Sequence, residues 1–130
     1  MKALTTLLTE MGALPFFTDA DTHDRAVAFL SHLPQLVSTG LASLIAEQSA
    51  HDFLPLEFAG PGFRDVTRLA ESPYTVWRDI CLTNGENIRS ALGALIQKLQ
   101  RMETDLNDGG LERDFNEGSR LREKSRGPEL

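Results

Sequence analysis

The stretch that decides the fold is THDRAVAFLSHLPQLVSTGLASLIAEQS, residues 22–49. Its apolar residues recur at intervals of three and four, which is the spacing of one face of an α-helix. These residues are Val27, Leu30, Leu33, Val37, Leu41, Leu44 and Ile45. The pattern continues through Pro34, which removes one backbone hydrogen bond and clashes with the preceding turn. It therefore predicts one long helix, kinked near that proline.

The other side of this helix carries small residues. They are Ala28, Ser31, Ser38, Ala42, Ser43 and Ala46. Small side chains allow another helix to approach closely, so this side is predicted to be a packing face. A second copy is the simplest source of the partner helix in so short a chain. We therefore expect a homodimer formed through residues 22–49 and a later helix at about 86–102.

Working outward, the remaining pattern is also helical. Residues 2–11 predict a short helix stopped by Gly12, and ALPFF at 13–17 predicts a brief extended segment. The other predicted elements are a loop over 51–62, helices over 63–71, 74–83 and 86–102, a turn over 107–110, a marginal helix over 111–125 and a disordered tail over 126–130. The sequence thus predicts an all-α fold.

Composition excludes several classes of function. A net charge of −6 and a pI near 5.0 disfavour general binding to nucleic acids or anionic membranes. The apolar runs are short and no signal peptide is visible, so we expect a cytoplasmic protein that does not span a membrane. The single cysteine excludes an intrachain disulfide. The three histidines lack the close spacing of a metal site, and none is predicted.

The segment GPGFRDVTRLAESPYTVWRDI, residues 60–80, concentrates charge in this acidic chain. On a helix, Arg64 and Arg68 share a face, and Asp65 lies three residues before Arg68. Two guanidinium groups on one face become favourable when a carboxylate lies between them. The alternative is an ordinary solvated helix with an internal ion pair. Trp77, the only tryptophan, is open to a core or a ligand-binding interpretation.

Two long motifs in these regions resemble a known family. THDRAVAFLSHLPQLVSTGLA at 22–42 and AGPGFRDVTRLAESPYTVWRDICLTN at 59–84 are similar to the C-terminal half of prephenate and arogenate dehydrogenases. The resemblance implies a helical dimerisation domain of the type that follows a Rossmann domain. It implies that residues 1–20 are a helix-strand remnant of the nucleotide-binding domain and that 21–125 are the helical domain. Such enzymes oxidatively decarboxylate prephenate or arogenate with NAD or NADP.

The resemblance also implies roles for the charged segment. Arg68 matches an arginine that binds a substrate carboxylate, and Asp65 matches an aspartate that organises it. Trp77 matches a tryptophan of the substrate pocket, contributed across the dimer. Since prephenate has two carboxylates, the resemblance favours an anion site at Arg68, with Arg64 beside it.

The first motif implies a second part of the substrate site. Ser31 and His32 match the family's SHLP signature, which lines the cleft, and His23-Asp24 matches its upstream partner. Many family members have a histidine where this chain has Gln35. A glutamine can donate a hydrogen bond but carries no charge, so the choice between prephenate and arogenate stays open.

The family's catalytic histidine belongs to the nucleotide domain, so no catalytic and no cofactor-binding residue is expected here. The resemblance thus implies a substrate-binding and dimerisation part of an enzyme that is inactive without that domain. The alternative is a non-catalytic helical module that dimerises or binds a regulatory ligand. Asn84-Gly85 is interpreted as a turn signal only.

Overall fold

The computed structural model describes residues 2–50, 55–107 and 109–125, and within these ranges the chain is helical with no β-strand. The described α-helices are α1 (Lys2–Glu10), α2 (Ala20–Val27), α3 (Leu33–Ser49), α4 (Pro61–Thr67), α5 (Tyr74–Thr83), α6 (Gly85–Thr104) and α7 (Leu111–Ser125). The predicted all-α class is confirmed. The first part of the predicted 51–62 loop and the 126–130 tail lie outside the described residues.

The predicted long helix is present as the continuous run Ala20–Ser49. Asp19 caps its start, since its Oδ1 accepts a hydrogen bond from the Thr22 backbone N–H at 2.8 Å. That backbone bond lowers the pKa of Asp19 below its ordinary value of 3.8. The carboxylate therefore caps the helix in its charged form.

A π-helical turn, Ala28–His32, joins α2 to α3 where the sequence predicts a kink. The Leu33 N–H bonds to the Ala28 carbonyl, five residues earlier, which is the π pattern. Pro34 has no N–H and its ring would clash with the carbonyl four residues before it. The wider turn directly before the proline accommodates this mismatch without interrupting the helix.

The N-terminal segment is helical and then irregular. Gly12 ends α1 in the left-handed conformation at φ 85°, as predicted. The Gly12 N–H bonds to the Thr9 carbonyl, and the Ala13 N–H bonds to the Leu8 carbonyl, which together form a Schellman motif. Residues 13–19 are not helical and form no strand. The strand of the expected helix-strand remnant is therefore not formed here, because a strand needs a neighbour for its backbone groups.

Residues 61–83 contain two α-helices, of which α5 has the predicted bounds and α4 differs from the predicted helix over 63–71. α4 begins at Pro61 because proline is pre-organised for the first helical turn. After Thr67 the helix tightens into the 3₁₀ turn Arg68–Glu71, which packs on α3. Pro73 is the N-cap of α5 and not its first helical residue. Because the α-helix ends at Thr67 and a 3₁₀ turn follows, Arg64 and Arg68 lie in helices of different type.

The chain divides into two compact units, Met1–Ile88 and Arg89–Leu130. In the second unit, Lys98 of α6 forms an ion pair with Asp114 of α7. The turn before α7 contains Gly109 at φ 70°, a left-handed conformation that glycine adopts without strain. The candidate site described below belongs wholly to the first unit.

The described residues bury few large apolar side chains. The buried hydrophobic residues are Ala28, Ile88 and Ala91, whereas Phe29 and Leu30 are 48% and 81% exposed. Many other large apolar side chains among the described residues are exposed as well. Apolar surface is therefore left for a partner to cover.

Among the described residues, Ala20–Ser49 is the one helix long and apolar enough to cross a membrane. This differs from the expectation that no segment could span a bilayer. The apolar residues on one face of this helix and the small uncharged residues on the other together make it apolar enough to pass this test. A helix buried in a soluble core or interface passes the same test of length and composition.

Candidate functional site

The first unit contains a cleft of about 210 Å³ between the long helix and the end of α5. The residues that line it are His23, Asp24, Val27, Ser31, His32, Ile80, Thr83 and Asn84. They come from the two motifs that the sequence singled out, residues 22–42 and 59–84. The fold brings together the HD pair, the SH pair and the end of the WRDI segment.

His32 is held from two sides. Its Nδ1 lies 3.3 Å from the Nδ2 of Asn84. Its ring meets the Trp77 ring at a centroid distance of 5.8 Å and an angle of 84°, which is an edge-to-face contact. His32 and Trp77 are both half-buried. Trp77 thus supports His32 within the same chain.

Asn84 connects the two motifs, and sequence reasoning missed it. The residue is only 8% exposed, and its Nδ2 also donates to the Asp24 carbonyl oxygen at 2.8 Å. Its Oδ1 accepts a hydrogen bond from Asn87 Nδ2 at 2.8 Å. The Asn84-Gly85 dipeptide predicts a turn but does not predict these contacts. The available signal was its position as the last residue of the second motif.

His23 and Asp24 form the exposed edge of the cleft. His23 Nδ1 lies 3.0 Å from Asp24 Oδ1, and the side chains are 59% and 48% exposed. An ion pair with this exposure contributes little to stability because water screens it. The pair is therefore available to reorganise around a ligand.

The charged segment is arranged differently from the prediction. Arg64 donates from Nη1 to the Ala59 carbonyl at 2.9 Å, and Arg68 and Asp65 form no ion pair within the described chain. The expected Asp65–Arg68 pair is therefore absent. Both side chains are exposed, and an exposed pair gains too little in water to hold two side chains in place.

Gln35 lies away from the residues that line the cleft. It is 4% exposed, and its Nε2 donates to the Leu69 carbonyl at 2.7 Å and to Thr39 Oγ1 at 3.2 Å. The bond to Leu69 attaches the turn that carries Arg68 to α3, while the bond to Thr39 lies within α3. The cleft therefore contains Ser31 and His32, with Trp77 behind His32, while Gln35, Arg64, Asp65 and Arg68 are not among its lining residues.

The cleft is lined by groups that can form hydrogen bonds. Within the described residues, no group of three or more histidine, cysteine or acidic side chains is placed to hold a metal ion. The polar side chains that line the cleft carry two imidazoles, two hydroxyls, the Asp24 carboxylate and the Asn84 amide, while exposed arginines lie elsewhere in the unit. Such groups bind and orient an oxygen-rich ligand.

Comparison with known proteins finds similarity to prephenate and cyclohexadienyl dehydrogenases. The family model "Prephenate dehydrogenase, dimerization domain" matches residues 19–120. The chain is 31% identical to a prephenate dehydrogenase of Bacillus subtilis over 116 residues, which are 80% of the chain and 30% of the relative. It is 29% identical to a cyclohexadienyl dehydrogenase of Zymomonas mobilis over 96 residues, 73% of the chain and 33% of the relative.

Solved structures agree on the fold. The crystal structure of Synechocystis arogenate dehydrogenase matches with a TM-score of 0.81 at 26% identity, covering 95% of this chain and 46% of that one. Prephenate dehydrogenase from A. aeolicus, solved in complex with hydroxyphenyl propionate and NAD⁺, matches with a TM-score of 0.79 at 24% identity, covering 98% and 45%. The chain thus spans about a third of the curated relatives and under half of these structures.

Proposed function

The chain belongs to the prephenate dehydrogenase dimerization domain family, and we propose that it forms a homodimer and supplies the substrate-binding side of a prephenate or arogenate dehydrogenase. The reaction would be oxidative decarboxylation with NAD or NADP. The single observation that carries the proposal is the convergence of the two family motifs on one cleft.

Exposed apolar surface supports the homodimer. The predicted stripe of the long helix includes Leu30 and Leu44, which are 81% and 51% exposed. Burying such side chains contributes about 1.5 to 3 kcal/mol each. In an isologous interface the same stripe is covered on both copies, so each such side chain contributes twice.

The chemistry of the substrate supports the assignment of roles. Prephenate is a dianion, and Arg68 is an exposed guanidinium with no ion pair in the described chain. We propose that Arg68 binds one carboxylate, with Arg64 and Asp65 arranged around it. Gln35 positions this segment through Leu69 and thereby affects the choice between prephenate and arogenate.

The cleft would receive the other end of the substrate. Ser31 and His32 present hydrogen-bonding groups there, and Trp77 holds the His32 ring. The resemblance assigns Trp77 to a pocket formed across the dimer, and this stays a prediction. His23 and Asp24 are proposed to close the exposed edge.

We propose that this chain alone does not bind the nicotinamide cofactor. Dinucleotide binding in Rossmann domains uses a glycine-rich turn between a strand and a helix, whose amides face the pyrophosphate. The described residues contain no strand from which such a turn could start. We therefore propose that a separate nucleotide-binding domain provides the cofactor and the catalytic histidine. Mixed with NAD and prephenate, the chain alone should produce no reduced cofactor.

We propose that the protein is located in the cytoplasm. The apolar character of Ala20–Ser49 is explained by its interface role, so membrane insertion is not needed to account for it. The acidic charge of −6 gives no basis for binding nucleic acid.

Calorimetric titration tests the proposed function. Prephenate is added to the chain at a concentration where sedimentation shows a dimer, and phenylpyruvate, which has one carboxylate, serves as the control. Prephenate should bind at least roughly tenfold more tightly, since one hydrogen bond to a charged group contributes about 1.5 to 3 kcal/mol. A dimer that binds neither compound would instead indicate a non-catalytic dimerisation module.

A further inference from the structure

Asn84 has an unusual position for a residue at a helix end. It caps α5 and is 8% exposed. Its side chain nevertheless contacts the backbone of α2 and a side chain of the π turn. Its Nδ2 contacts the Asp24 carbonyl and the His32 imidazole, which are 60 and 52 residues away in sequence. A residue needed only for a turn would not require these contacts.

The orientation of the Asn84 amide is fixed by its neighbours. The Asp24 backbone carbonyl, 2.8 Å from Nδ2, can only accept a hydrogen bond. If the amide were rotated by half a turn, Oδ1 would face that carbonyl and two acceptors would repel. On the opposite side, Oδ1 already accepts from Asn87 Nδ2 at 2.8 Å. The NH₂ group must therefore point toward Asp24 and His32.

This orientation determines which nitrogen of His32 carries the proton. The His32 Nδ1 lies 3.3 Å from an NH₂ group that can only donate, so Nδ1 must be the acceptor. A neutral imidazole has one N–H, and it is then on Nε2. Since His32 lines the cleft, Nε2–H is the group left to donate to a ligand.

We propose that Asn84 is a positioning residue that holds His32 as the Nε2–H tautomer, so that the cleft presents a hydrogen-bond donor to an oxygen of the substrate. The donor role rests on the proposed function, whereas the tautomer does not. Asn87 locks the Asn84 amide, and Trp77 limits rotation of the imidazole ring. Asn84 thus sets the tautomer of His32, while Asn87 holds the Asn84 amide and Trp77 holds the His32 ring.

His23 provides a useful contrast in the same cleft. Its Nδ1 lies 3.0 Å from the Asp24 carboxylate, which can only accept, so its Nδ1 is the donor. The backbone carbonyl and the side chain of Asp24 thus bond to two different partners, Asn84 and His23. In the neutral rings, the two histidines would carry their protons on opposite nitrogens.

Nitrogen-15 NMR of the full chain tests the tautomer. Long-range proton–nitrogen spectra are recorded at pH 8, above the ordinary imidazole pKa of about 6.5, and His32 is assigned with His32→Gln. The Nε2–H pattern should dominate for His32. Asn84→Asp replaces the donor by a second oxygen, which should move the proton to Nδ1, while Asn107→Asp adds the same charge on an exposed turn and should change nothing.

A wild-type His32 that carries its proton on Nδ1 would overturn the proposal even if Asn84→Asp does not fold. An unchanged His32 tautomer in folded Asn84→Asp would also overturn it. Prephenate is then added to the wild-type chain, where the Nε2 signal should shift and the affinity of Asn84→Asp should be roughly tenfold weaker. Prephenate that binds by calorimetry without moving Nε2 refutes the donor role alone. Absence of binding refutes the proposed function and leaves the tautomer result standing.

Discussion

The cleft around His32 and the segment of residues 63–71 belong to one unit, but the chain organises them in different ways. In the cleft, His32 is bound to Asn84 and supported by Trp77, so its position is set before any ligand arrives. In residues 63–71, the backbone is attached to α3 through Leu69, but the Arg68 guanidinium is exposed and unpaired in the described chain. The hydrogen bond that positions His32 is thus formed within the chain, whereas the positive charge of Arg68 is exposed to solvent, where an anion can reach it.

This difference follows from the cost of burying each kind of group. A neutral amide or imidazole can be buried once its hydrogen bonds are made, as for Asn84 at 8% exposure. A buried guanidinium needs a charged partner, and removing that partner costs several kcal/mol. If Arg68 binds a substrate carboxylate as proposed, its exposure avoids that cost until a ligand or a second copy covers it.

The largest expected effect concerns that second copy. Leu30→Glu should convert the dimer to monomers at micromolar concentration, because it replaces about 1.5 to 3 kcal/mol of apolar burial per copy with a buried charge. Sedimentation equilibrium measures the change, which should exceed roughly a hundredfold in the dissociation constant. Gln48→Glu adds the same charge at an exposed polar position of the same helix and should leave the dimer intact.

A monomeric wild-type chain, or a Leu30→Glu chain that dimerises as well as the wild type, would contradict this assignment of the apolar stripe. It would also leave the 81% exposure of Leu30 without an explanation.

A smaller effect is expected at the attachment of residues 63–71. Gln35→Met keeps the side-chain length but removes the donor to the Leu69 carbonyl, so the free energy of unfolding should fall by about 1 to 3 kcal/mol. Urea denaturation at fixed protein concentration measures it. Gln48→Met on the same helix is exposed and serves as the control. If Gln35→Met is as stable as the control and alters only prephenate binding, Gln35 is a ligand contact and not a structural tie.

The smallest effect is expected at the start of the long helix. The pKa of Asp19 is lowered, chiefly by the Thr22 backbone N–H, so its charge stabilises the fold at neutral pH. A depressed carboxyl pKa gives stability that is present above the unfolded-state value and is lost as the pH falls through the folded-state value. Asp19→Asn keeps an acceptor oxygen but cannot titrate, so its difference from the wild type should shrink as the pH falls below about 4.

Asp19→Ala provides the matched variant, because it removes the cap at every pH and should be the less stable of the two. Thermal unfolding of the three proteins between neutral and acidic pH measures the effect. A constant difference between wild type and Asp19→Asn would show that the charge of Asp19 plays no part in the cap.

Periodicity and capping signals predicted most of the local structure. The spacing of Val27 to Ile45 predicted the long helix, and Gly12 predicted the end of α1, because both depend on neighbouring residues. Pro34 predicted a disturbance, but its form as a π turn depends on how the preceding residues share the strain. The ALPFF segment predicted a strand for which the described chain provides no neighbour.

The site was harder to predict because its contacts are distant in sequence. The spacing of Arg64, Asp65 and Arg68 predicted an ion pair that exposure to water does not favour. The role of Asn84 depends on contacts 52 and 60 residues away, which no local pattern reveals. His32 lines the cleft, and its part in substrate binding stays a prediction, whereas Gln35 bonds to Leu69, 34 residues away, and does not line the cleft.

The most direct test of the central claim compares two arginines. Prephenate is titrated by calorimetry into the wild-type chain, Arg68→Met and Arg78→Met, all confirmed as dimers. Arg78 is exposed like Arg68 and has the same charge, but it already donates to Asp79 at 2.8 Å. It is therefore a control for charge that is already paired. We predict that Arg68→Met weakens binding roughly 10- to 150-fold and that Arg78→Met leaves it unchanged. Equal affinities for all three proteins would contradict the claim that the guanidinium of Arg68, which forms no ion pair among the described residues, binds the substrate.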